Sequence, residues 1–179
     1  MWQNSFKDEL IKIAFKESVL THWVNNSPGF IDSIIKDKLI RSPLYERPIS
    51  FTRYDKTLLT PENDPMRLKD RYLGFVISRD KLKTFAKVKP VDDLKTTSKS
   101  LYLAEETVAK PIPLKKFDSV TLDLNSLRNY IRKFRKFSKD LNPIDSIKLI
   151  PKQRKEVFGT LRNLVAVLKN EGVKLNVIK

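Results

Sequence analysis

The chain has 179 residues, with 36 Lys or Arg against 21 Asp or Glu, so its formal net charge is +15 at pH 7. The absence of cysteine and the single histidine exclude a disulfide framework, a cysteine nucleophile and a Cys- or His-rich zinc site. Four glycines leave little room for a phosphate-binding glycine-rich loop, and no apolar run reaches the roughly 18 residues that a membrane-spanning helix needs.

Residues 1–41 are predicted to form a helical hairpin. In the first helix, apolar residues recur at spacings of three and four and continue as far as Val19 and Trp23. In the second, Ser27 supplies an N-cap and Pro28 a first-turn proline. The opening residues lack the basic segment and uninterrupted apolar stretch of a secretory signal, which favours a protein made and used in a cytoplasm.

Residues 42–118 contain seven of the ten prolines, a density that is incompatible with long regular elements. Short strands are predicted at residues 72–77 and 101–103, and a two-turn helix at residues 79–88. The segment keeps many large apolar residues, which disordered linkers usually lack. The pattern therefore favours an extended arm that becomes ordered on another surface, with an irregular mixed domain as the alternative.

Residues 119–179 return to helical periodicity. Asp123 or Ser126 can cap a helix at its N-terminus. The residues that would form its apolar face are Leu127, Tyr130, Ile131, Phe134 and Phe137.

The last part of the chain is predicted to contain a second C-terminal helix. Pro143 interrupts the preceding pattern, residues 144–150 form an apolar connector, and Pro151 opens the helix. Gly172 is a natural residue for the left-handed turn that ends it. The alternation in residues 173–177 is typical of a strand.

These elements predict a mainly α protein in three segments. They are an N-terminal helical hairpin at residues 1–41, an extended proline-rich middle with short strands at residues 42–118, and a basic C-terminal helix pair at residues 119–179.

Charge is the most informative feature of the C-terminal segment, because residues 111–179 hold 16 Lys or Arg and only 6 Asp or Glu. The cations predicted to contact a polyanion are Arg128, Arg132, Lys133, Arg135, Lys136 and Lys139. The polyanion can be DNA, RNA or an acidic protein surface. A solvated basic face is the alternative, and no lipidation motif supports a membrane surface.

No residue pattern points to a catalytic site, and no cofactor or metal is expected. The single histidine, His22, falls on the predicted first helix, where a surface or capping role suits it better than general-base chemistry. Asp93 and Lys95 match a short carboxylate-x-lysine motif of some metal-dependent nucleases, for which Asp80 or Asp92 could supply a further ligand. A nuclease needs a cluster of carboxylates that the sequence does not provide.

Residues 5–14 read SFKDELIKIA. This stretch resembles a short opening segment, F-x-[DE]-E-L-x-K-I-A, of various tailed-bacteriophage proteins, with Asp at the variable acidic position. The resemblance covers 10 of 179 residues and implies a virion or assembly component without implying any site residues.

The sequence therefore predicts a non-enzymatic structural component of a large nucleoprotein assembly. The first choice is a bacteriophage virion protein at the head interior or head–tail connection, assembled in the host cytoplasm. Its partners would be other subunits together with nucleic-acid phosphates or an acidic subunit. A ribosome-associated or other RNA-binding cytoplasmic protein and a metal-dependent nuclease are the alternatives.

Overall fold

The computed structural model of the protein describes residues 19–24, 26–41, 48–52, 70–90, 105–137 and 143–179. The strands in these ranges are β1 Val19–Trp23, β2 Leu39–Ile40, β3 Ile49–Thr52, β4 Leu73–Ser78, β5 Val88–Pro90, β6 Glu105–Val108, β7 Ile112–Pro113, β8 Ser119–Asp123 and β9 Lys174–Ile178. The helices are α1 Pro28–Asp37, α2 Arg79–Phe85, α3 Leu124–Phe137 and α4 Pro143–Asn170, with a short 3₁₀-helix at Leu114–Lys116.

Seven strands form one mixed sheet in the order β5-β6-β3-β1-β4-β8-β9, and β2 pairs with β7 in a separate two-stranded sheet. Neighbouring strands of the large sheet are antiparallel except β8 and β9, which are parallel and are connected through α3 and α4. The prediction of a mainly α fold is therefore wrong, because the protein has an α/β fold. Each of the three predicted segments contributes strands to the large sheet.

One face of the large sheet is apolar and faces the helices. A row of directly paired residues crosses five strands on this face: Phe51, His22, Phe75, Val120 and Leu175. The strand residues join one core cluster with Ile31 and Ile34 of α1, Leu82 of α2, and Val157 and Leu161 of α4. The alternate residues of each strand point to the opposite face, which carries the buried Trp23 together with small and polar residues such as Gly74 and Thr121.

The most consequential correction concerns β1, which the sequence analysis placed in a helix. Residues 19–23 pair one for one with β4, from Val19 opposite Ser78 to Trp23 opposite Gly74. The stretch VLTHW combines β-branched and aromatic residues that favour strands. Its apolar positions fit the period of a helix as well as that of a strand. β1 is the central strand of the sheet and pairs on both sides, so tertiary pairing decides between the two periodicities.

Gly74 of β4 leaves room for the side chain of Trp23, which lies opposite it on β1. A Cβ atom at position 74 would lie 2.9 Å from the Trp23 ring and 2.8 Å from Cγ2 of Thr21. The indole therefore lies across the glycine of the neighbouring strand, and no larger residue fits without displacing it.

Helix ends follow the local sequence signals closely. The Ser27 Oγ accepts a hydrogen bond from the amide of Phe30 at 3.2 Å, and Pro28 is the first residue of α1. Gly172 has a φ of +70° just after α4, the left-handed conformation that glycine adopts most easily. Both predicted signals are confirmed.

Two predictions about the middle segment are confirmed within a few residues, since the strand at 72–77 is found as β4 and the helix at 79–88 as α2. The predicted strand at 101–103 and the start of the first helix lie outside the described residues.

The start of α4 differs from its prediction. Pro151 lies inside this helix, which begins at Pro143, so the predicted connector at residues 144–150 is wrong. An internal proline costs about 3 kcal/mol through one lost hydrogen bond and a steric clash. The helix beyond it provides four buried core residues, which offset a cost of that size: Val157, Leu161, Leu164 and Leu168. Val165, next to Leu164 in this helix, is exposed.

Candidate nucleic-acid interface

Helix α3 begins at an acidic cap. The Asp123 carboxylate accepts hydrogen bonds from the Ser126 amide at 3.0 Å and from the Ser126 hydroxyl at 2.9 Å. Both residues are buried. A carboxylate at this position satisfies a free amide and interacts favourably with the positive end of the helix. Asp123 and Ser126 were predicted as alternative caps, and both take part.

Core contacts fix the side of α3 that faces solvent. Leu127 is buried, and Tyr130 and Ile131 are half-buried against the core. The Tyr130 ring lies 5.3 Å from the Tyr72 ring, centroid to centroid. The exposed residues of the helix recur at spacings of three and four on the outer side: Asn125, Arg128, Asn129, Arg132 and Lys133.

Half of the predicted site can be placed. Three of the six predicted cations are exposed on α3: Arg128, Arg132 and Lys133. The side chains of the other three lie outside the described part: Arg135, Lys136 and Lys139. The sequence of α3, LNSLRNYIRKFRKF, contains no acidic residue, so its outer side has no intrahelical carboxylate to neutralise these cations.

Among the described residues, an acidic partner of α3 comes from the residues just before β4. The Lys133 Nζ lies 2.6 Å from Oδ2 of Asp70. Both side chains are exposed, so the pair contributes at most about 1 kcal/mol. Among the described residues, Arg128 and Arg132 form no ion pair. These two arginines therefore remain available to an external anion.

A cluster of hydrogen bonds holds residues 70–72, just before β4, beneath α3. The Asn26 side chain donates to the Asp70 carbonyl at 2.8 Å and accepts from the Tyr72 amide at 3.0 Å. The Tyr72 hydroxyl donates to the Asn26 carbonyl at 3.1 Å, and burial raises the pKa of Tyr72, so the hydroxyl stays protonated. The Arg71 guanidinium donates to the Trp23 carbonyl. These hydrogen bonds connect the residues beneath α3 to the end of β1.

The local sequence does not predict this hydrogen-bonded cluster. Asn26 meets Asp70 and Tyr72 because β1 and β4 pair, although 44 and 46 positions separate it from them along the chain. The available signal was an asparagine three positions after a strand, which has meaning only when the strand itself is recognised.

The exposed stripe suits phosphate oxygens. Arg128 and Arg132 lie one helical turn apart, with Cβ atoms separated by about 6 Å as expected for that spacing. Their guanidinium groups can donate to neighbouring phosphates in a bidentate manner. Asn125 and Asn129 flank the same side and add neutral donors of the kind that also contact phosphates.

His22 is not the surface residue that the sequence analysis expected, since it is only 7% exposed, on the apolar face of the sheet. Its Nδ1 lies 2.7 Å from the Ser50 carbonyl, to which it donates, and its ring packs on Phe51. Among the described residues, Nε2 has no hydrogen-bond partner. Burial lowers the pKa of His22 from 6.5 to about 4, so the ring is neutral at pH 7.

A second buried polar group lies on the same face. Glu106 is 1% exposed and forms a two-bonded pair with Arg79, with Nη2 to Oε1 at 2.6 Å and Nε to Oε2 at 3.1 Å. Arg79 is the first residue of α2. The pair joins this helix to β6, and we interpret it as structural.

The carboxylates considered for a nuclease do not form a metal site in the described ranges. Asp80 lies in the first turn of α2, and Asp92 and Asp93 are outside the described residues. Within the described part of the chain, no three acidic, His or Cys side chains are grouped to hold a metal ion.

Comparisons with protein-family models and with curated proteins find no match to this sequence. The similarity of residues 5–14 to bacteriophage proteins therefore stays a prediction. Among the described helices, none has both the length and the apolar character needed to cross a bilayer.

Proposed function

We propose that this protein binds the phosphate backbone of nucleic acid through the outer side of α3, as a non-enzymatic structural component of a nucleoprotein assembly. The observation that carries the proposal is the exposed stripe of Arg128, Arg132 and Lys133 on a helix without acidic residues.

The overall charge supports the same function. A net charge of +15 attracts polyanions over distances comparable to the Debye length. Phosphate contacts of this kind position a protein on nucleic acid without reading its sequence. We therefore propose binding that depends on backbone charge, to DNA first and to RNA as the alternative.

The assembly that we propose is a tailed-bacteriophage particle, at the head interior or head–tail connection, formed in the host cytoplasm. Its support is the segment at residues 5–14 together with the basic surface. A ribosome-associated protein would use the same stripe, and a preference for structured RNA over duplex DNA would favour it.

The test is a binding titration over a salt series with labelled duplex DNA and a matched RNA hairpin. The variant Arg128→Glu/Arg132→Glu is compared with Lys36→Glu/Lys83→Glu, which removes the same charge from exposed positions on α1 and α2. Both Lys36 and Lys83 lie outside every ion pair among the described residues.

We expect wild-type affinity to fall steeply between about 50 and 200 mM salt. In the α3 variant, the slope of log binding constant against log salt concentration should be smaller in magnitude by about 1.8, because two phosphate contacts disappear. The control should keep the slope. Equal losses in the two variants would mean that only net charge matters, and would refute the assignment to α3.

A further inference from the structure

The two edges of the large sheet are built differently. The β5 edge is only three residues long and ends at Pro90. Proline lacks the amide that an incoming strand would pair with, and so short a strand offers few other backbone groups. This edge is therefore protected.

The β9 edge carries no proline. Its five residues, Lys174–Ile178, pair with β8 on one side, and no described strand pairs on the other. Val177 is 54% exposed and Ile178 is 42% exposed. Adjacent strand residues point to opposite faces, so the strand offers an apolar side chain on each side of an open backbone edge.

Helix α4 also exposes apolar side chains. Helix α4 packs against β9, and it exposes Phe158 and Val165. These residues are seven positions apart and hence lie on one side of the helix. Arg162, also exposed, lies between them on that side.

The charged residues of β9 and of the position that follows it are both lysines. Lys174 and Lys179 are exposed at its two ends, and residues 173–179 contain no acidic residue. From this arrangement we propose that β9 is a docking edge, at which an extended acidic segment of a partner protein adds as a further strand. The segment would place carboxylates opposite the two lysines and apolar residues against Val177 and Ile178.

A second copy of this chain fits the edge poorly. Two β9 strands related by a twofold axis run antiparallel, which brings Lys174 of each copy beside the Ile178–Lys179 end of the other. Like charges in such positions are destabilising, and each whole molecule carries +15. The lysines thus exclude self-pairing and select an acidic occupant.

The β9 edge is a different surface from the outer side of α3. Nucleic-acid binding by α3 and strand addition at β9 can fail independently, because neither the Arg128→Glu/Arg132→Glu variant nor its control alters β9.

The experiment is an NMR titration of the full chain with a short peptide of alternating Glu and Val. A peptide of alternating Lys and Val is the control ligand, and the readouts are shifts and hydrogen exchange of the β9 amides. We expect the acidic peptide to shift residues 174–178 and to slow exchange of their outward-facing amides. The control peptide should cause neither change.

The matched variants are Lys174→Glu/Lys179→Glu and Lys36→Glu/Lys83→Glu. We expect at least a fivefold loss of affinity for the acidic peptide in the first and less than a twofold change in the second, as cross-strand charge pairs predict. Equal losses, binding without slower exchange in β9, absence of binding, or a β9-dependent dimer in sedimentation would each overturn the proposal.

Discussion

Replacing His22 by asparagine should remove most of an acid sensitivity that the fold builds into its central strand. The His22 ring is buried beside Phe51 and donates from Nδ1 to the Ser50 carbonyl. An asparagine side chain can make the same donation but does not titrate. The two proteins therefore differ in one ionisable group at one buried position.

The magnitude follows from the lowered pKa. An unfolded histidine titrates at 6.5, whereas the pKa of His22 in the folded protein is about 4, chiefly through burial and to a lesser extent through the nearby Arg71 charge. The unfolded state binds the proton first, so the full stability is present above pH 6.5 and is lost as pH falls toward 4. This difference in proton binding lowers the free energy of unfolding by about 2 kcal/mol between pH 8 and pH 5, and by about 3 kcal/mol at pH 4.

Urea denaturation of both proteins between pH 8 and pH 5 measures this difference. Acidic residues contribute equally to the pH dependence of both proteins. The difference between the two stability curves therefore isolates the contribution of His22. The chain has one histidine, so its ring proton gives a single NMR titration that should show an inflection near pH 4. Parallel stability curves for wild type and His22→Asn, or an inflection near 6.5, would refute the reasoning.

Two further substitutions test the sheet. Gly74→Ala should lower the free energy of unfolding by about 2 kcal/mol, because its Cβ would overlap the Trp23 ring; thermal denaturation measures this, and an equal cost in a Trp23→Leu background would contradict the contact. Arg79→Met should cost about 3 kcal/mol by removing both bonds to the buried Glu106, whereas the exposed control Lys83→Met should stay within about 0.5 kcal/mol of wild type in the same denaturation experiment.

The parts of the fold that the sequence predicted are those with local causes. The cap at Ser27, the glycine at position 172 and the apolar face of α3 each depend on residues within one or two turns of each other. The exposure of Arg128 and Arg132 follows from that apolar face, since the opposite side of the helix must face solvent.

The sheet was missed because its strands are short and pair across long separations. β1 has five residues whose apolar positions fit a helix as well as a strand, and its partner β4 begins only at Leu73. Nothing near β1 in the chain indicates this pairing. The contact between Asp70 and Lys133 depends on the same pairing, so the base of the candidate site could not be predicted either.

The parallel pairing of β8 with β9 affects how quickly the protein can reach its folded state. Val120 and Leu175 are neighbours in the sheet although about 55 positions separate them along the chain, and β1 meets β4 across a similar interval. Closing such large loops costs entropy before any contact compensates for it. We therefore expect refolding in the slow range of small proteins, from milliseconds to seconds, even though helices make up much of the chain.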